Sequence, residues 1–455
     1  MNKQLTASSI CDILKEAKIT NATTILQDAD QCSVVFYGLR EGAEFRQLFE
    51  KRIEGKKIGL LVLCGIGFEL EEDLKKENYW VEESELYPCQ KSVMDQLYPQ
   101  KKEPRLVGIT GTNGKTTTAN LAMQISNLLG HSCIAVGTIG VCGASGKIGE
   151  VVGNTTPSYI ELRKIVAEHS DCQAIIFEFS SHALDQNRHH DLKIELAGWT
   201  SFSQDHLDYH DTLEEYFSAK EKIVEKLVDK KRLYIPASQM ELREKLKGKA
   251  SAAKTLKEQG YAELPLFFQP DFNQENLELA LELNRQLWGE FEKIDLSKLS
   301  APKGRFDPLL WGTKMVVVDY AHTPDALENI SNAISAAFPE KKLVTLFGCG
   351  GDRDKSKRPL MAKAAALHSD KIMITSDNPR SENPDKIIDD IIVGFKGEFE
   401  RETDRKKAIV LALKGLPENS ILLIAGKGHE EYQEVNGVKK EFSDFDCVKK
   451  VIDND

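Results

Sequence analysis

The sequence has no Cys-x-x-Cys pair, no excess of basic residues and no apolar stretch long enough to cross a membrane. Its nine cysteines are scattered and odd in number, so we expect neither a disulfide framework nor a cysteine-ligated zinc, and a reducing cytoplasm fits. The 60 lysines and arginines face 71 aspartates and glutamates, which argues against nucleic acid or an anionic membrane as the main partner. The longest apolar run, 58–68, is typical of a buried strand and turn.

Length and polar segments indicate three domains. At roughly 150 residues per domain, 455 residues correspond to about three, and we find no internal repeat. Segments punctuated by proline or glycine at 99–104 and 295–304 mark two boundaries, so we predict domains at 1–103, 104–302 and 303–455. The charge-rich segment 239–263 is expected to form a solvated helix and loop. The first 19 residues have no basic segment followed by an apolar one, so we expect no signal peptide.

Short apolar segments alternate with helical patterns through the middle and last parts of the chain. We predict strands at Ala174–Phe179, Lys314–Asp319, Leu343–Phe347, Lys371–Thr375 and Ile421–Ala425, and an amphipathic helix at Asn276–Trp288. This alternation is typical of α/β domains with mostly parallel sheets. Because such sheets bind ligands at the carboxyl ends of their strands, the loops after these strands are where chemistry is expected.

A glycine-rich turn follows the strand-like segment Leu106–Ile109. It reads Thr-Gly-Thr-Asn-Gly-Lys-Thr-Thr-Thr at 110–118 and leads into a helical pattern. Glycines let backbone N–H groups surround phosphate oxygens, and the helix N-terminus adds positive potential. Lys115 can reach the outer phosphates, and Thr116 can offer its hydroxyl to Mg²⁺. The spacing departs from the usual phosphate loop because Ile109 stands where its first glycine would be; the alternative reading is a tight turn capped by threonine.

Two more polar clusters follow predicted strands. Glu178 stands at a strand end, where a carboxylate can bind Mg²⁺ or hold a water that does so. Segment 204–210 holds two histidines and two aspartates within seven residues. A lone histidine is more often structural than a ligand, but such a cluster at a strand end makes a functional role as plausible as a structural one.

Eight motifs occur in order along the chain. They are Gly111-Thr-Asn-Gly-Lys-Thr-Thr117, Asn154-Thr-Thr-Pro157, Ser180-Ser-His182, Asp205-His-Leu-Asp-Tyr-His210, Asp319-Tyr-Ala-His-Thr-Pro324, Phe347-Gly-Cys-Gly-Gly-Asp-Arg-Asp354, Asp377-Asn-Pro-Arg380 and Gly426-Lys-Gly-His-Glu430. In these motifs the chain resembles the Mur ligases, most closely those that form a UDP-N-acetylmuramoyl-tripeptide. The resemblance spans residues 104–445.

The resemblance implies an α/β fold of three domains: a central P-loop ATPase-like domain, a C-terminal Rossmann-like domain and a smaller, divergent α/β N-terminal domain that binds the UDP-substrate. It implies a ligase of peptidoglycan synthesis that uses ATP and Mg²⁺ to join an amino acid to the terminal carboxylate of UDP-N-acetylmuramoyl-L-alanyl-D-glutamate. ATP phosphorylates that carboxylate, the amine attacks the acyl phosphate, and a tetrahedral intermediate expels phosphate. We expect a cytoplasmic monomer with no nucleic-acid partner and no membrane insertion.

The resemblance also assigns roles to single residues. For ATP it implies Gly111, Thr112, Asn113, Gly114, Lys115, Thr116, Thr117, Arg305, Asp319 (ribose) and His322 (adenine). For the muramoyl-dipeptide it implies Asn154, Thr155, Thr156, Ser181, Arg188 and Lys220.

The resemblance also implies metal ligands: Thr116 and Glu178 would serve a first Mg²⁺ and His206 a second. Lys220 aligns with the family's carbamylated lysine, whose carbamate can hydrogen-bond or bridge to the second metal. Spacing alone would favour the alternative reading of Lys220 as a lysine on the surface of a helix. The catalytic residues implied are Lys115, Glu178, His206 and Lys220.

The motif at 377–380 bears on which amino acid is added. In the family, an arginine at its fourth position accompanies meso-diaminopimelate, whose far end carries a carboxylate that a guanidinium can bind with two hydrogen bonds. L-Lysine lacks that carboxylate and would leave Arg380 unpaired, at a cost on the order of 2–5 kcal/mol. The amino-acid site implied by the resemblance consists of Arg353, Asp377, Asn378, Pro379, Arg380, Gly426 and Glu430, of which Gly426 and Glu430 match contacts to the distal amino end. A strand-to-helix turn with Asp and Asn caps is the structural reading of the same motif, and both can hold.

The chain departs from the family pattern at two places. The usual Ser-Arg pair of the N-terminal domain is reduced to Ser33, so no uridine contact can be transferred. Thr200-Ser-Phe-Ser203 replaces the usual Thr-Asn-Leu. Three alternatives therefore stay open: the same reaction with L-lysine, a folylpolyglutamate-synthase-like ligase, and a non-catalytic nucleotide-sugar-binding scaffold descended from a ligase.

Overall fold

The computed structural model describes residues 3–99, 102–151, 155–207 and 209–454. Within these ranges the chain divides into two compact units. The first takes in Met1–Lys115, Ser126–Ile235 and Glu241–Ser251, and the second Thr116–Ile125, Pro236–Met240 and Ala252–Asp455. The domain boundaries drawn from the polar segments stay a prediction. No helix among the described residues combines the length and apolar composition needed to cross a bilayer.

The N-terminal sheet contains the strands β1 (Asn21–Thr23), β2 (Ser33–Leu39), β3 (Leu60–Gly65) and β4 (Tyr79–Trp80), which pair in this order and run parallel. The helices of this region are α1 (Ala7–Glu16), α2 (Ala43–Ile53), α3 (Glu72–Glu77) and α4 (Glu83–Leu97). The apolar run at 58–68 forms β3 and the turn after it, and β3 is buried along most of its length. The prediction of a buried strand there is confirmed.

The sheet that positions the glycine-rich turn contains β5 (Arg105–Thr110), β6 (Cys133–Gly137), β7 (Gly140–Gly143), β8 (Gly146–Gly149), β9 (Ala174–Glu178), β10 (Leu196–Trp199), β11 (Leu233–Ile235) and β12 (Ser251–Ala252). Their order is β12-β11-β10-β5-β9-β6-β7-β8. Strand β5 pairs in parallel with both β10 and β9, so the loops after these three strands meet at one edge. Buried Ile175, Phe177 and Trp199 belong to the apolar core beneath them.

The helices of the middle region are α5 (Lys115–Leu128), α6 (Tyr159–Glu168), α7 (Ser181–Asp185), α8 (Leu213–Glu221), α9 (Ile223–Lys226), α10 (Met240–Lys245) and α11 (Asp271–Trp288). Helix α11 begins five residues earlier than its apolar pattern predicted, directly after Pro270. In the segment 239–263 only α10 is α-helical among the described residues, and turns fill most of the rest.

The C-terminal sheet contains β13 (Asp307–Trp311), β14 (Lys314–Asp319), β15 (Lys342–Phe347), β16 (Lys371–Ile374), β17 (Glu400–Arg401) and β18 (Ser420–Ala425). The order is β13-β14-β18-β15-β16-β17, with β13 antiparallel and the others parallel. A hairpin of β19 (Tyr432–Val435) and β20 (Val438–Glu441) follows. The helices are α12 (Pro324–Ala337), α13 (Arg358–His368), α14 (Pro384–Ile391), α15 (Arg405–Lys414) and α16 (Asp444–Ile452). The predicted strands and the α/β class are confirmed, with ends shifted by no more than one residue.

Candidate active site

The glycine-rich turn joins β5 to α5, as the sequence predicted. Gly111 and Gly114 have φ angles of 145° and 84°, which side chains other than glycine rarely adopt. A Cβ on Gly111 would also overlap the Thr200 hydroxyl. The turn can therefore approach a phosphate with its backbone only because these positions are glycine.

The segment that departs from the family pattern, Thr200–Ser203, holds this turn in place. The Thr112 N–H donates to the Ser201 carbonyl at 2.9 Å, and the Asn113 N–H donates to Ser201 Oγ at 3.0 Å. The Thr112 hydroxyl donates to the Ser203 carbonyl at 3.1 Å. Sequence comparison recorded these serines only as a departure, although hydroxyls directly after the neighbouring strand could have indicated support for the turn.

Lys115 and Lys220 converge on the same turn. Lys115 Nζ donates to the carbonyls of Gly111 and Thr112 at 2.9 and 2.8 Å, and Lys220 Nζ donates to the Gly111 carbonyl at 2.7 Å. Lys220 is only 1% exposed. Desolvation, and then the charge of Lys115, hold the pKa of the Lys220 amine well below its usual range. The alternative reading of Lys220 as a surface lysine is therefore wrong.

Glu178 is a buried carboxylate at the end of β9, and it is 2% exposed. The Thr138 backbone N–H donates to Oε1 at 3.1 Å, and the Thr138 hydroxyl donates to Oε2 at 3.2 Å. A Cβ at Gly137 would overlap Oε1, so the carboxylate fits only beside a glycine. Hard oxygen donors of this kind suit Mg²⁺, which needs few protein ligands beside water and phosphate oxygens.

His206 lies in a cluster of rings, and its Nε2 is 3.6 Å from Asp205 Oδ2. Its role as a ligand of a second Mg²⁺ stays a prediction. Its ring centroid is 5.0 Å from that of His182 and 6.0 Å from that of Tyr216, and its φ angle is 53°. Asp205 accepts its backbone N–H at 2.8 Å. In the described part of the chain, no group of three or more His, Cys, Asp or Glu side chains is arranged to hold a metal ion.

The residues expected to hold the muramoyl-dipeptide gather around Glu178. The buried Thr156 hydroxyl donates to the Glu178 carbonyl at 2.8 Å, and the hydroxyl oxygens of Thr155 and Thr138 are 3.2 Å apart. Arg188 donates through Nη1 to the Thr156 carbonyl at 3.0 Å. Ser181, 1% exposed, begins α7, and Asn154 lies outside the described residues.

The three ATP-facing residues expected in the last part of the chain surround Tyr320. Arg305 lies over the Tyr320 ring at 4.6 Å, and His322 Nδ1 is 2.9 Å from the Tyr320 carbonyl. Asp319 accepts backbone N–H groups of Phe306 and Ala321, each at 2.8 Å. Desolvation raises the pKa of the Asp319 carboxyl. Asp319 thus organises the loop, and its contact with ribose stays a prediction.

The motif at 377–380 forms a loop directly after β16. Arg380 has a φ angle of 51°, donates through Nη1 to the Gly351 carbonyl at 2.8 Å and has Nε 3.7 Å from Glu434 Oε2. A Cβ at Gly350 would lie 2.8 Å from Arg380 Nη1 and 3.6 Å from Cγ of the exposed Arg353. The structure therefore brings the two predicted carboxylate-binding arginines to one glycine-rich loop.

The other members of the predicted amino-acid site contact one another. Asp377 Oδ1 accepts the Asn378 N–H at 2.6 Å, and a Cβ at Gly426 would lie 2.7 Å from Asp377 Oδ2. Asn378 Nδ2 donates to Glu430 Oε2 at 2.8 Å. A Cβ at Gly351 would overlap the Pro379 carbonyl. Sequence reasoning missed Lys427, a fully buried lysine among these residues that the motif containing it could have signalled.

A cavity of 420 Å³ lies in the N-terminal region, where no family contact could be transferred. Its lining includes Arg40 after β2, Arg52 on α2, and the rings of Phe36, Tyr37 and Phe45. Arg52 Nη1 donates to the Tyr37 hydroxyl at 3.4 Å, and Arg40 lies over the Phe45 ring at 5.9 Å. Two guanidiniums beside aromatic rings can bind phosphate and a stacked base.

Comparison with known proteins gives the family. Residues 109–291 match the Mur ligase middle domain, and residues 304–428 match the family model described as Mur ligase, glutamate ligase domain. The chain belongs to the Mur ligase family. The UDP-N-acetylmuramoyl-L-alanyl-D-glutamate–2,6-diaminopimelate ligase of Aquifex aeolicus (strain VF5) is 38% identical over 382 residues, covering 77% of this chain and 78% of that protein. The family resemblance read from the motifs is confirmed.

Solved structures of Mur ligases share the fold. A UDP-N-acetylmuramoyl-L-alanyl-D-glutamate–2,6-diaminopimelate ligase is 26% identical with a TM-score of 0.53, covering 96% of this chain and 95% of that chain. The MurF ligase of Thermotoga maritima, solved in complex with ADP, is 12% identical with a TM-score of 0.60, covering 97% of this chain and 98% of that chain.

Proposed function

We propose that this protein is an ATP-dependent ligase that adds meso-diaminopimelate to UDP-N-acetylmuramoyl-L-alanyl-D-glutamate. The observation that carries the proposal is the placement of Arg380, whose side chain is 23% exposed and fixed by the Gly351 carbonyl. Such a guanidinium can receive the distal carboxylate of diaminopimelate, which L-lysine does not have. The name of the Aquifex aeolicus relative supports the same amino acid.

The activation step joins two groups of the same charge, a carboxylate and a triphosphate. The turn at 111–114 and the start of α5 offer backbone N–H groups to the phosphates, and Lys115 supplies positive charge beside them. Glu178 is the residue that would hold Mg²⁺, with the Thr116 hydroxyl as a second predicted ligand. The metal would supply charge that offsets the repulsion between nucleophile and triphosphate.

The acid substrate would occupy two places in the first unit. Its muramoyl-dipeptide end would meet Thr155, Thr156 and Arg188, which lie around Glu178. Its uridine nucleotide would occupy the N-terminal cavity, with Arg40 and Arg52 on the diphosphate. This assignment replaces the Ser-Arg contact that the sequence lacks.

Lys220 would act as a carbamate. Burial lowers the pKa of its amine, and in the neutral form the nitrogen lone pair can attack CO₂, forming an N–C bond and releasing one proton. The product is an anion near Lys115 that can hydrogen-bond or contribute to metal binding. Burial thus supplies the condition that the reaction requires.

We place this reaction in the cytoplasm. The nine cysteines all lie among the described residues, and each is a free thiol. A reducing compartment suits such a protein.

Release of phosphate from ATP by the purified protein tests the function. We expect release only when UDP-N-acetylmuramoyl-L-alanyl-D-glutamate and meso-diaminopimelate are both present, and little when L-lysine replaces diaminopimelate. Equal turnover with L-lysine would show that Arg380 does not select the substrate. Absence of turnover with either amino acid would favour the non-catalytic scaffold.

A further inference from the structure

Lys427 is a buried cation in the loop after β18 that has no assigned role in the reaction. Its side chain is 0% exposed, and Nζ donates to Glu430 Oε2 at 2.8 Å and to Asn378 Oδ1 at 3.0 Å. Asn378 Nδ2 donates to the same Glu430 oxygen at 2.8 Å. The three side chains therefore close a hydrogen-bonded triangle.

The side-chain amide of Asn378 makes hydrogen bonds within this triangle and to one strand. Its Oδ1 also accepts the Glu434 backbone N–H from β19 at 2.9 Å. Because a lysine ammonium only donates, the orientation of the amide is fixed, with oxygen toward Lys427. Asn378 thus holds neighbouring groups in place, and its contact with the amino acid stays a prediction.

The same strand connects the triangle to Arg380. The Glu434 carbonyl accepts the Arg380 backbone N–H at 3.0 Å, and the Arg380 carbonyl accepts the Asn436 N–H at 2.7 Å. A continuous set of hydrogen bonds therefore runs from Lys427 through Asn378 and β19 to the arginine proposed to bind the distal carboxylate.

Lys427 also fixes the carboxylate of Glu430 in place. Both side-chain hydrogen bonds to Glu430 end on Oε2, so a ligand amine would be received on Oε1. Without the ammonium, Glu430 Oε2 would lose the charged donor that holds it, and the carboxylate could turn away from a ligand amine.

We infer that Lys427 is a positioning residue that holds the Glu430 carboxylate in place for the distal amino end of the amino-acid substrate and, through Asn378 and β19, supports Arg380. The inference rests on the proposed function and adds to it the group that organises the two residues expected to meet the far end of the amino acid. Removal of the ammonium should therefore weaken amino-acid binding without affecting ATP or the UDP-substrate.

Steady-state kinetics of Lys427→Met test the inference. We expect the KM for meso-diaminopimelate to rise about tenfold or more, the size seen when a supporting partner of a ligand-binding group is lost. The KM values for the other two substrates should stay within about twofold of wild type. This is well below a tenfold change, which corresponds to about 1.4 kcal/mol of binding free energy. Lys439→Met is the matched control, since Lys439 is exposed and lies over the ring of Tyr432, which Lys427 also faces.

The outcomes separate the inference from the function on which it rests. If wild type shows no turnover that depends on diaminopimelate, the proposed function fails. If wild type is active and Lys427→Met keeps its KM for diaminopimelate, or loses affinity for all three substrates alike, the inference fails. If Lys427→Met does not fold, the variant Asn378→Asp tests the inference instead. It keeps the oxygen that accepts from Lys427 and from the Glu434 N–H, but it replaces the donor to Glu430 by a second negative charge. An unchanged KM for diaminopimelate in that variant would overturn the inference.

Discussion

Lys115 and Lys220 donate hydrogen bonds to one acceptor, the carbonyl oxygen of Gly111, at 2.9 and 2.7 Å. Two ammonium groups on one oxygen repel each other, and Lys220, at 1% exposed, has almost no water to stabilise its charge. Lys220 is therefore the amine whose pKa is lowered, which favours the neutral form that carbamate formation needs. The turn that would bind phosphate thus also favours carbamate formation.

Replacement of Lys220 by alanine should remove most of the activity. We expect kcat to fall by about 10²-fold or more, the usual loss when a charged group that stabilises the transition state is deleted. Lys222→Ala is the matched control, because Lys222 is exposed and pairs with Asp185. Phosphate release measured with and without added bicarbonate provides the readout. Full activity of Lys220→Ala would remove the carbamate from the mechanism.

The lowered pKa of Lys220 should also affect how stability depends on pH. The pKa of this amine is 10.5 in an unfolded chain and well below that in the folded protein. Between the folded and the unfolded pKa, the unfolded chain therefore binds more protons than the folded one. The free energy of unfolding of wild type must then rise with pH across that window. We expect Lys220→Met to be more stable than wild type at about pH 7 and the difference to shrink toward about pH 10.

Thermal unfolding of both proteins in bicarbonate-free buffer measures this difference. A constant difference across the pH range would mean that Lys220 keeps its proton in the folded protein.

Gly137→Ala should disable Glu178 without altering any ligand. The added Cβ overlaps Glu178 Oε1, so the carboxylate must leave its two contacts with Thr138. We expect the Mg²⁺ concentration needed for half-maximal activity to rise and kcat to fall by about 10²-fold. Gly143→Ala on β7 is the control, since its Cβ would meet only ordinary contacts at 3.5 Å or more. Normal Mg²⁺ dependence in Gly137→Ala would show that Glu178 is not a metal ligand.

The sequence was sufficient for the strands and the phosphate turn because their signals are local. Apolar runs located β5 and β14 to within a residue, and the glycine-rich turn predicted α5, which begins inside the segment 110–118 at Lys115. The burial of Lys220 was not visible, because it depends on the packing of α8 against a turn that lies 109 residues earlier. Two other features also depend on contacts between residues distant in sequence. They are the hydrogen bond of Ser201 to the turn and the hydrogen bond of Asp319 to the Phe306 N–H. The N-terminal cavity had no motif to indicate it.

Arg40→Ala should weaken binding of the UDP-substrate. Arg40 lines the N-terminal cavity, where a diphosphate would lose one of two guanidinium partners. A lost charged hydrogen bond of about 1.5–3 kcal/mol corresponds to a rise in KM of about tenfold to a hundredfold. Arg46→Ala is the control, because Arg46 on α2 pairs with Glu50, Glu71 and Asp73. Should both variants keep the wild-type KM for the UDP-substrate, the uridine nucleotide binds elsewhere.

Arg380→Ala should separate recognition of diaminopimelate from the rest of the reaction. Loss of a guanidinium that binds a carboxylate costs about 2–5 kcal/mol, which predicts a rise in the KM for meso-diaminopimelate of about 30-fold or more. The KM for ATP should not change, because the described contacts of Arg380 are with Gly351, Glu434 and Asn436.

The preference for diaminopimelate over L-lysine should fall in the same variant. L-Lysine has no distal carboxylate for Arg380 to bind, so its binding should not weaken when Arg380 is removed. Arg401→Ala is the control, because Arg401 is exposed and pairs with Asp385 and Asp389. If Arg380→Ala kept its preference for diaminopimelate over lysine, selection of the amino acid would lie with other residues of the predicted site, such as Arg353.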